Sequence, residues 1–314
     1  MVRIIPEGQV AVGMQLPIQS QSALYAEPWE TTAGPAELAE IAKAADRAGF
    51  FYVGVCDHVA IPRSLADAMR TTWYDTMTTL GWLAGQTQNV RLLSHVAIPA
   101  YRHPLISAKA VATLDALSGG RAIFGVGAGH VEAEFETFGI PFDERGPMLD
   151  ESLDVIDLAL RDEFVTWHGE RFDIDDMGLA PRPVQSPRPP IWVGGWKGPA
   201  LRRVVERGDG WLPQGIGRPE TRAKIDEITR MRAATGKEPL ELGCLTEPLY
   251  LGDPDFDVGK RTLTGKGAQI GESLREYVEM GCSHLQVRFR NRSLSELTDQ
   301  IEMFAADAMP ALSS

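Results

Sequence analysis

Cysteine is scarce: Cys56, Cys244 and Cys282 are the only three in 314 residues, each far from the others. So few, so scattered, they argue against a disulfide framework and against a cysteine-based metal site. Long apolar runs are missing as well, since none approaches the roughly 20 residues needed to span a bilayer. The opening MVRIIPEGQV lacks the apolar stretch of a signal peptide. The expectation is therefore a cytoplasmic chain without a membrane partner. Basic charge is also in deficit, with 31 Lys and Arg against 43 Asp and Glu and a formal net charge of −12. No run of Lys or Arg is long enough to override that field, which argues against a nucleic-acid partner and leaves a small-molecule substrate. What remains is ordinary globular composition, 44% hydrophobic and 24% charged. Barrels of alternating strands and helices use about 250 residues plus insertions, so one domain over 1–314 is expected.

Along the chain, short β-branched or aromatic runs alternate with amphipathic segments. The pattern predicts strands at 10–18, 50–55, 90–98, 121–126, 190–194, 209–213, 240–251 and 284–289. Between and after them it predicts helices at 35–48, 73–86, 104–117, 144–161, 199–207, 219–234, 269–280 and 294–311. Pro35 and Pro104 sit at first-turn positions, Gly49 and Gly119 follow the helix ends, and Leu38, Ile41, Ala42 and Ala45 share one face. Eight strand–helix units imply an α/β protein with a parallel sheet closed into a (β/α)8 TIM barrel, a doubly wound open sheet being the alternative. The segment 163–189, with HGERFDI and then PRPVQSPRPP, breaks the rhythm. It reads as an insertion after the fourth strand–helix unit, and as a lid.

A (β/α)8 barrel works at the C-terminal ends of its strands, so polar residues there need a reason. The second strand ends in Cys56-Asp57-His58, the third in Ser94-His95-Val96 and the fourth in Gly127-Ala128-Gly129-His130. Each histidine is either a hydrogen-bonded structural residue or a site residue. They come from different strands without ligand spacing, so no metal is expected. GVGAG at 125–129 resembles a dinucleotide loop, but its third Gly is displaced and His130 takes the sixth position, so that fingerprint fails. Gly127 and Gly129 instead read as positions where a planar ring approaches the backbone. The better anion cradle is WVGGWKGP at 192–199, a strand, a Gly-rich turn and a helix start. There Gly194, Gly195 and Gly198 expose backbone N–H groups and Lys197 adds a cation, although a plain strand-to-helix turn also fits. Trp211, one unit later, reads either as a pocket wall or as core.

The stretch YRHPLISAKAVATLDALSGGRAIFGVGAGHVEAEF, with AGFFYVGVCDH, FDERGPMLDESLDVI, PRPPIWVGGWKGPALRRVVERGDGWLP and MGCSHLQVRF, resembles the luciferase-like monooxygenase family in order and across most of the chain. That resemblance implies an oxidoreductase with a flavin-type cofactor at the barrel mouth. Similarity to the deazaflavin branch favours coenzyme F420, with FMN as the alternative. It also implies a non-prolyl cis peptide at His95–Val96 backing the ring, and phosphate contacts from Gly194, Gly195, Lys197 and Gly198. Asp57-His58 matches an Asp-His pair of the glucose-6-phosphate dehydrogenase branch, whose histidine lies beside the ring. Asp57 would then bond near the ring's polar edge, and His58 or His130 would handle protons. Where that branch has its acidic proton donor this chain has His130, with Glu132 and Glu134 nearby, so sugar-phosphate chemistry is not implied. Glu134 is expected to be structural, paired with an arginine such as Arg145. The first reading is hydride transfer between F420 and a small organic substrate. The second is an FMN monooxygenase fed reduced cofactor by a separate reductase, and the third a non-catalytic flavin-binding protein on the same barrel. The resemblance also suggests a homodimer, for which the helices around Trp73 and Trp82 offer a surface, unless core packing explains them.

Overall fold

The computed structural model describes residues 2–312. Eight parallel strands form a closed barrel: β1 (Ala11–Gln15), β2 (Tyr52–Val55), β3 (Arg91–Ser94), β4 (Ala122–Val126), β5 (Ile191–Val193), β6 (Gly210–Trp211), β7 (Glu241–Leu245) and β8 (His284–Val287). Each pairs with its neighbours in sequence, and β8 closes the ring on β1 with His284 opposite Ala11. A main helix follows each strand: α1 (Pro35–Arg47), α2 (Thr76–Ala84), α3 (Pro104–Ser118), α4 (Arg145–Arg161), α5 (Gly198–Arg207), α6 (Arg218–Ala233), α7 (Gly267–Glu279) and α8 (Leu294–Met303). The expected (β/α)8 architecture is the observed one.

Local signals explain the elements. In α1, Pro35 opens the helix, the Glu37 carboxylate accepts the Gly34 N–H at 2.9 Å, and Gly49 at φ +78° lies past its end. Leu38, Ile41, Ala42 and Ala45 are all buried against the barrel, and burying a large apolar side chain contributes about 1.5–3 kcal/mol. At the end of α3, Gly119 takes the left-handed conformation at φ +66°.

Inside the barrel, three large rings are seated by glycines. Trp192 stacks on His284 at 4.1 Å, and Tyr52 meets Trp192 edge-on at 5.4 Å. The register partners of Tyr52, Trp192 and His284 are Gly13, Gly210 and Gly243. A Cβ on those glycines would lie 2.3, 2.5 and 2.1 Å from the respective rings. Removing three side chains from the barrel wall makes room for three rings within it. Below them the amino-terminal segment plugs the far end, where Glu241 accepts the N–H groups of Ile4 and Ile5 at 2.7 and 2.6 Å.

Three sequence expectations need correction. The third strand stops at Ser94, where the cis bond His95–Val96 interrupts it, and only Ala97 pairs onward, with Val126. The seventh does not run through to 251. Pro248 has no N–H for the ladder; beyond it Leu249 bridges Phe289 past the end of β8, and Leu249–Leu251 pairs on its other side with Leu263–Gly265. The segment 163–189 is an outer strap, and none of its residues lines the mouth cavity described below. It contains an antiparallel hairpin, Phe164–His168 with Asp173–Gly178. Phe172 packs on His103 and Trp167 bonds Glu151, against α3 and α4. Its return leg is tied down at the far end of those helices: Arg182 donates to the Ala159 and Leu160 carbonyls at 2.8 and 2.7 Å, and Asp115 accepts the Val184 N–H at 2.7 Å. No helix among the described residues is long and apolar enough to cross a membrane.

Candidate active site

The C-terminal ends of β2, β3 and β4 carry an interlocked polar rim. Asp57 receives the Arg102 guanidinium through two parallel bonds of 2.7 and 2.8 Å and the Ile98 N–H at 2.9 Å. Both its oxygens are thus engaged in fixing the chain just after the cis bond. His58 follows. Its Nδ1 lies 2.8 Å from the buried Glu134 carboxylate, which also accepts the Val59 and Ala60 N–H groups and the Tyr101 hydroxyl. The expected Arg145 partner is absent from this set; Arg145 lies over the Phe142 ring at 3.7 Å. Burial raises the Glu134 pKa, but the bonds from His58 and the backbone outweigh it and hold the carboxyl below its usual range. A carboxylate accepting from Nδ1–H leaves Nε2 as the His58 nitrogen not engaged by Glu134. The His58 ring meets Trp73 at 4.4 Å and His130 at 5.4 Å. His130 has its pKa lowered by surrounding protein mass and by His58. The two histidines chosen from sequence are therefore neighbours.

The ends of β3 and β5 make a second feature. The bond His95–Val96 is cis, as the family resemblance implied. The Val96 side chain occupies the space that a Cβ on Gly127 would enter at 2.6 Å and one on Gly194 at 3.1 Å. These two glycines seat Val96. Gly129, at φ +79°, sits where a Cβ would strike the Phe135 ring at 2.7 Å. Beyond Gly194 the chain turns through Gly195, at φ +84°, into α5, whose first residue Gly198 faces open space. Exposed Lys197 precedes it, its ammonium 5.9 Å from the Trp196 ring. Trp211 is fully buried and donates its indole N–H to the Gly195 carbonyl at 2.7 Å. It pins the turn from within the core and walls no pocket.

His95 points inward. It is 1% exposed, and burial pushes its pKa down to about 4, so it is neutral at pH 7. The Gln214 and Gln286 amides lie 3.4 and 3.2 Å from its Nδ1. Nδ1 then accepts, and the proton sits on Nε2, directed toward the Leu212 carbonyl, while Gln286 Oε1 is buried without a partner.

Those glutamines open on a region the motifs did not indicate. A cavity of about 800 Å³ lies at the ends of β1, β6, β7 and β8, lined by Met14, Gln15, Gln214, Leu245, Gln286 and Arg288 among others. No site residue chosen from sequence lines it. The available signal was polar residues at strand ends, Gln15, Gln214 and Gln286, which the motif search passed over. Among the described residues no three His, Cys, Asp or Glu side chains converge to hold a metal ion.

The residues fit a planar group carrying an anion. Val96 stands at the cis bond beside buried His95, Gln286 Oε1 is left unpartnered, and a Cβ on Gly194, in the open Gly-rich turn at a helix start, would come within 3.1 Å of Val96.

Comparison with known proteins agrees with this architecture. An uncharacterised protein of Mycobacterium bovis is 29% identical, over 86% of this chain and 93% of its own. The F420-dependent glucose-6-phosphate dehydrogenase of Intrasporangium calvum is 28% identical, over 90% of this chain and 98% of its own. The crystal structure of monooxygenase RslO1 from Streptomyces bottropensis superposes with a TM-score of 0.77 at 21% identity, covering 96% of this chain and 99% of that one, which speaks to the fold. The family model of luciferase-like monooxygenases matches residues 10–251, and the chain belongs to that family.

Proposed function

We propose that this protein is an F420-dependent oxidoreductase, transferring hydride between the deazaflavin and a small organic substrate. One observation carries the reading: Val96 touches the turn at Gly194, so a ring shelf and an anion cradle adjoin at the barrel mouth. Gly194, Gly195, Lys197 and Gly198 would hold the phosphate, and Val96 would lie behind the ring. When bound, the cofactor supplies the hydride chemistry. The chain supplies orientation and proton handling. His58, with Nδ1 held by Glu134, presents Nε2 as acid or base, and His130 stands beside it. The choice of F420 over FMN is supported by the near full-length relative named for that cofactor. A second reading, a monooxygenase using FMN reduced by a separate reductase, is favoured by the name of the family and by its monooxygenase structural neighbour.

Titration of the purified protein with F420 and with FMN, followed by fluorescence, separates the two. F420 should bind and FMN bind far more weakly, and the reduced complex should persist in air. Tight FMN binding without affinity for F420 would overturn the proposal.

A further inference from the structure

The mouth cavity holds a cation without a counter-ion. Three arginines, Arg288, Arg290 and Arg292, alternate along the end of β8 and its loop. Arg290 pairs with Glu27 at 3.1 Å, and Arg292 pairs with Asp255 and Glu296 at 2.7 and 2.8 Å. Arg218, near the cavity, donates to Glu247, one of its two lining carboxylates. Arg288 lines the cavity and is half-buried, yet no carboxylate among the described residues lies within ion-pair distance of it. Among the described residues its guanidinium meets the Tyr25 carbonyl, at a long 3.4 Å, and the Tyr25 ring at 5.1 Å. Burial, with the neighbouring Arg290, presses its pKa down and outweighs the opposing fields of Glu27, Tyr25 and Glu30, neither of the two carboxylates reaching ion-pair distance.

The other lining carboxylate, Glu30, acts on Arg288 only through space and forms no ion pair with it. Glu30 is 3% exposed, and burial, opposed by the Glu27 and Ile18 N–H groups, pushes its pKa up to about 7. Both its oxygens are engaged by those N–H groups. The second lining cation, Arg261, is exposed at the rim. Much of the remaining wall is apolar, including Met14, Leu16, Ile216, Leu245 and Phe289. A partly dehydrated guanidinium beside such a wall favours a fork-accepting anion on an apolar body. The formal net charge of −12 repels anions elsewhere on the chain, so retention depends on this local cation.

We propose that the cavity binds a small organic acid, an apolar body bearing one carboxylate, with Arg288 receiving the carboxylate and setting the preference for charge. This deepens the oxidoreductase reading, since the cavity reaches His95 beside Val96 through Gln214 and Gln286.

The test uses a matched pair, 4-phenylbutyrate and 4-phenylbutyramide, titrated by calorimetry into the protein without cofactor and into Arg288→Gln. The acid should bind wild type at least about tenfold tighter than the amide, and the variant should lose that preference. Unaltered circular dichroism and melting would show the variant to be folded, and Arg288→Lys should recover part of the preference. Equal binding of acid and amide to wild type, or an unchanged preference in the glutamine variant, overturns the inference. A parallel F420 titration separates the two readings. F420 binding without acid preference removes this inference alone, whereas acid preference without F420 binding removes the cofactor reading. If the variant loses F420 affinity and keeps its acid preference, Arg288 serves the cofactor's anionic tail and the inference is wrong.

Discussion

The two halves of the barrel mouth differ in how their polar groups are satisfied. On the β2–β4 side, Asp57, Arg102, His58, Glu134 and Tyr101 bond one another and the backbone. On the side formed by β1 and β6–β8, a cavity of about 800 Å³ is bordered by Arg288, without an ion-pair partner among the described residues, and by Gln286 with an unpartnered oxygen. Satisfied networks rigidify the chain that carries them, while groups left open are available to a ligand. On the proposed reading, the closed side holds the machinery in place and the open side receives what it acts on. The motifs most recognisable in sequence, CDH and GVGAG, belong to the closed side.

The largest effect should come from breaking the closed side. Asp57→Asn removes the paired bond to Arg102, and the fold should lose about 2–3 kcal/mol. Urea denaturation measures this directly, and an unchanged midpoint would mean that the rim is not interlocked. A cavity change such as Arg288→Gln should by contrast leave the midpoint nearly where it was.

The next effect lies beneath both halves. Burial pushes the His284 pKa down to about 3, with His95 adding to the shift. The folded state keeps this ring neutral, whereas the unfolded chain protonates it near the ordinary 6.5. Its contribution is complete above pH 6.5 and is lost as pH falls toward the folded value, by up to about 1.4 kcal/mol per pH unit. Glu30, raised to about 7, acts in the opposite direction, so the comparison must be differential. His284→Phe keeps a ring opposite Gly243 and should show a shallower loss than wild type between pH 7.5 and 5.5, by about 1.4 kcal/mol. Parallel curves would show that His284 does not set the slope.

The smallest effect sharpens the assignment of the anion cradle. Because Lys197 is exposed, Lys197→Gln should weaken F420 binding by no more than about fivefold, and raised salt should erase the difference. A loss of a hundredfold or more would mean that the ammonium is buried on binding.

The positions missed from sequence share a cause. Leu38, Ile41, Ala42 and Ala45 were readable because helical periodicity is a property of one segment. Pro35, Pro104 and Gly119 were readable because caps and left-handed turns need particular residues wherever they occur. Trp211 remained open between wall and core, and only its burial and its bond to Gly195 decided the matter. Gly127 was read as a place where a ring approaches the backbone and Gly194 as a phosphate contact, and in the fold the side chain beside both is Val96. Glu134 was chosen as structural, yet its partner His58 lies 76 positions away.

Alternation and capping by themselves determined eight strand–helix units, and the family motifs added the location of the cis bond. These are local in the chain, and a segment carries them wherever it is placed. Barrel closure alone decided that Gly13, Gly210 and Gly243 face rings, that residues 163–189 strap the flank, and that no carboxylate among the described residues reaches ion-pair distance of Arg288. Those outcomes depend on which distant strands stand in register, and register is set by packing of the whole ring at once.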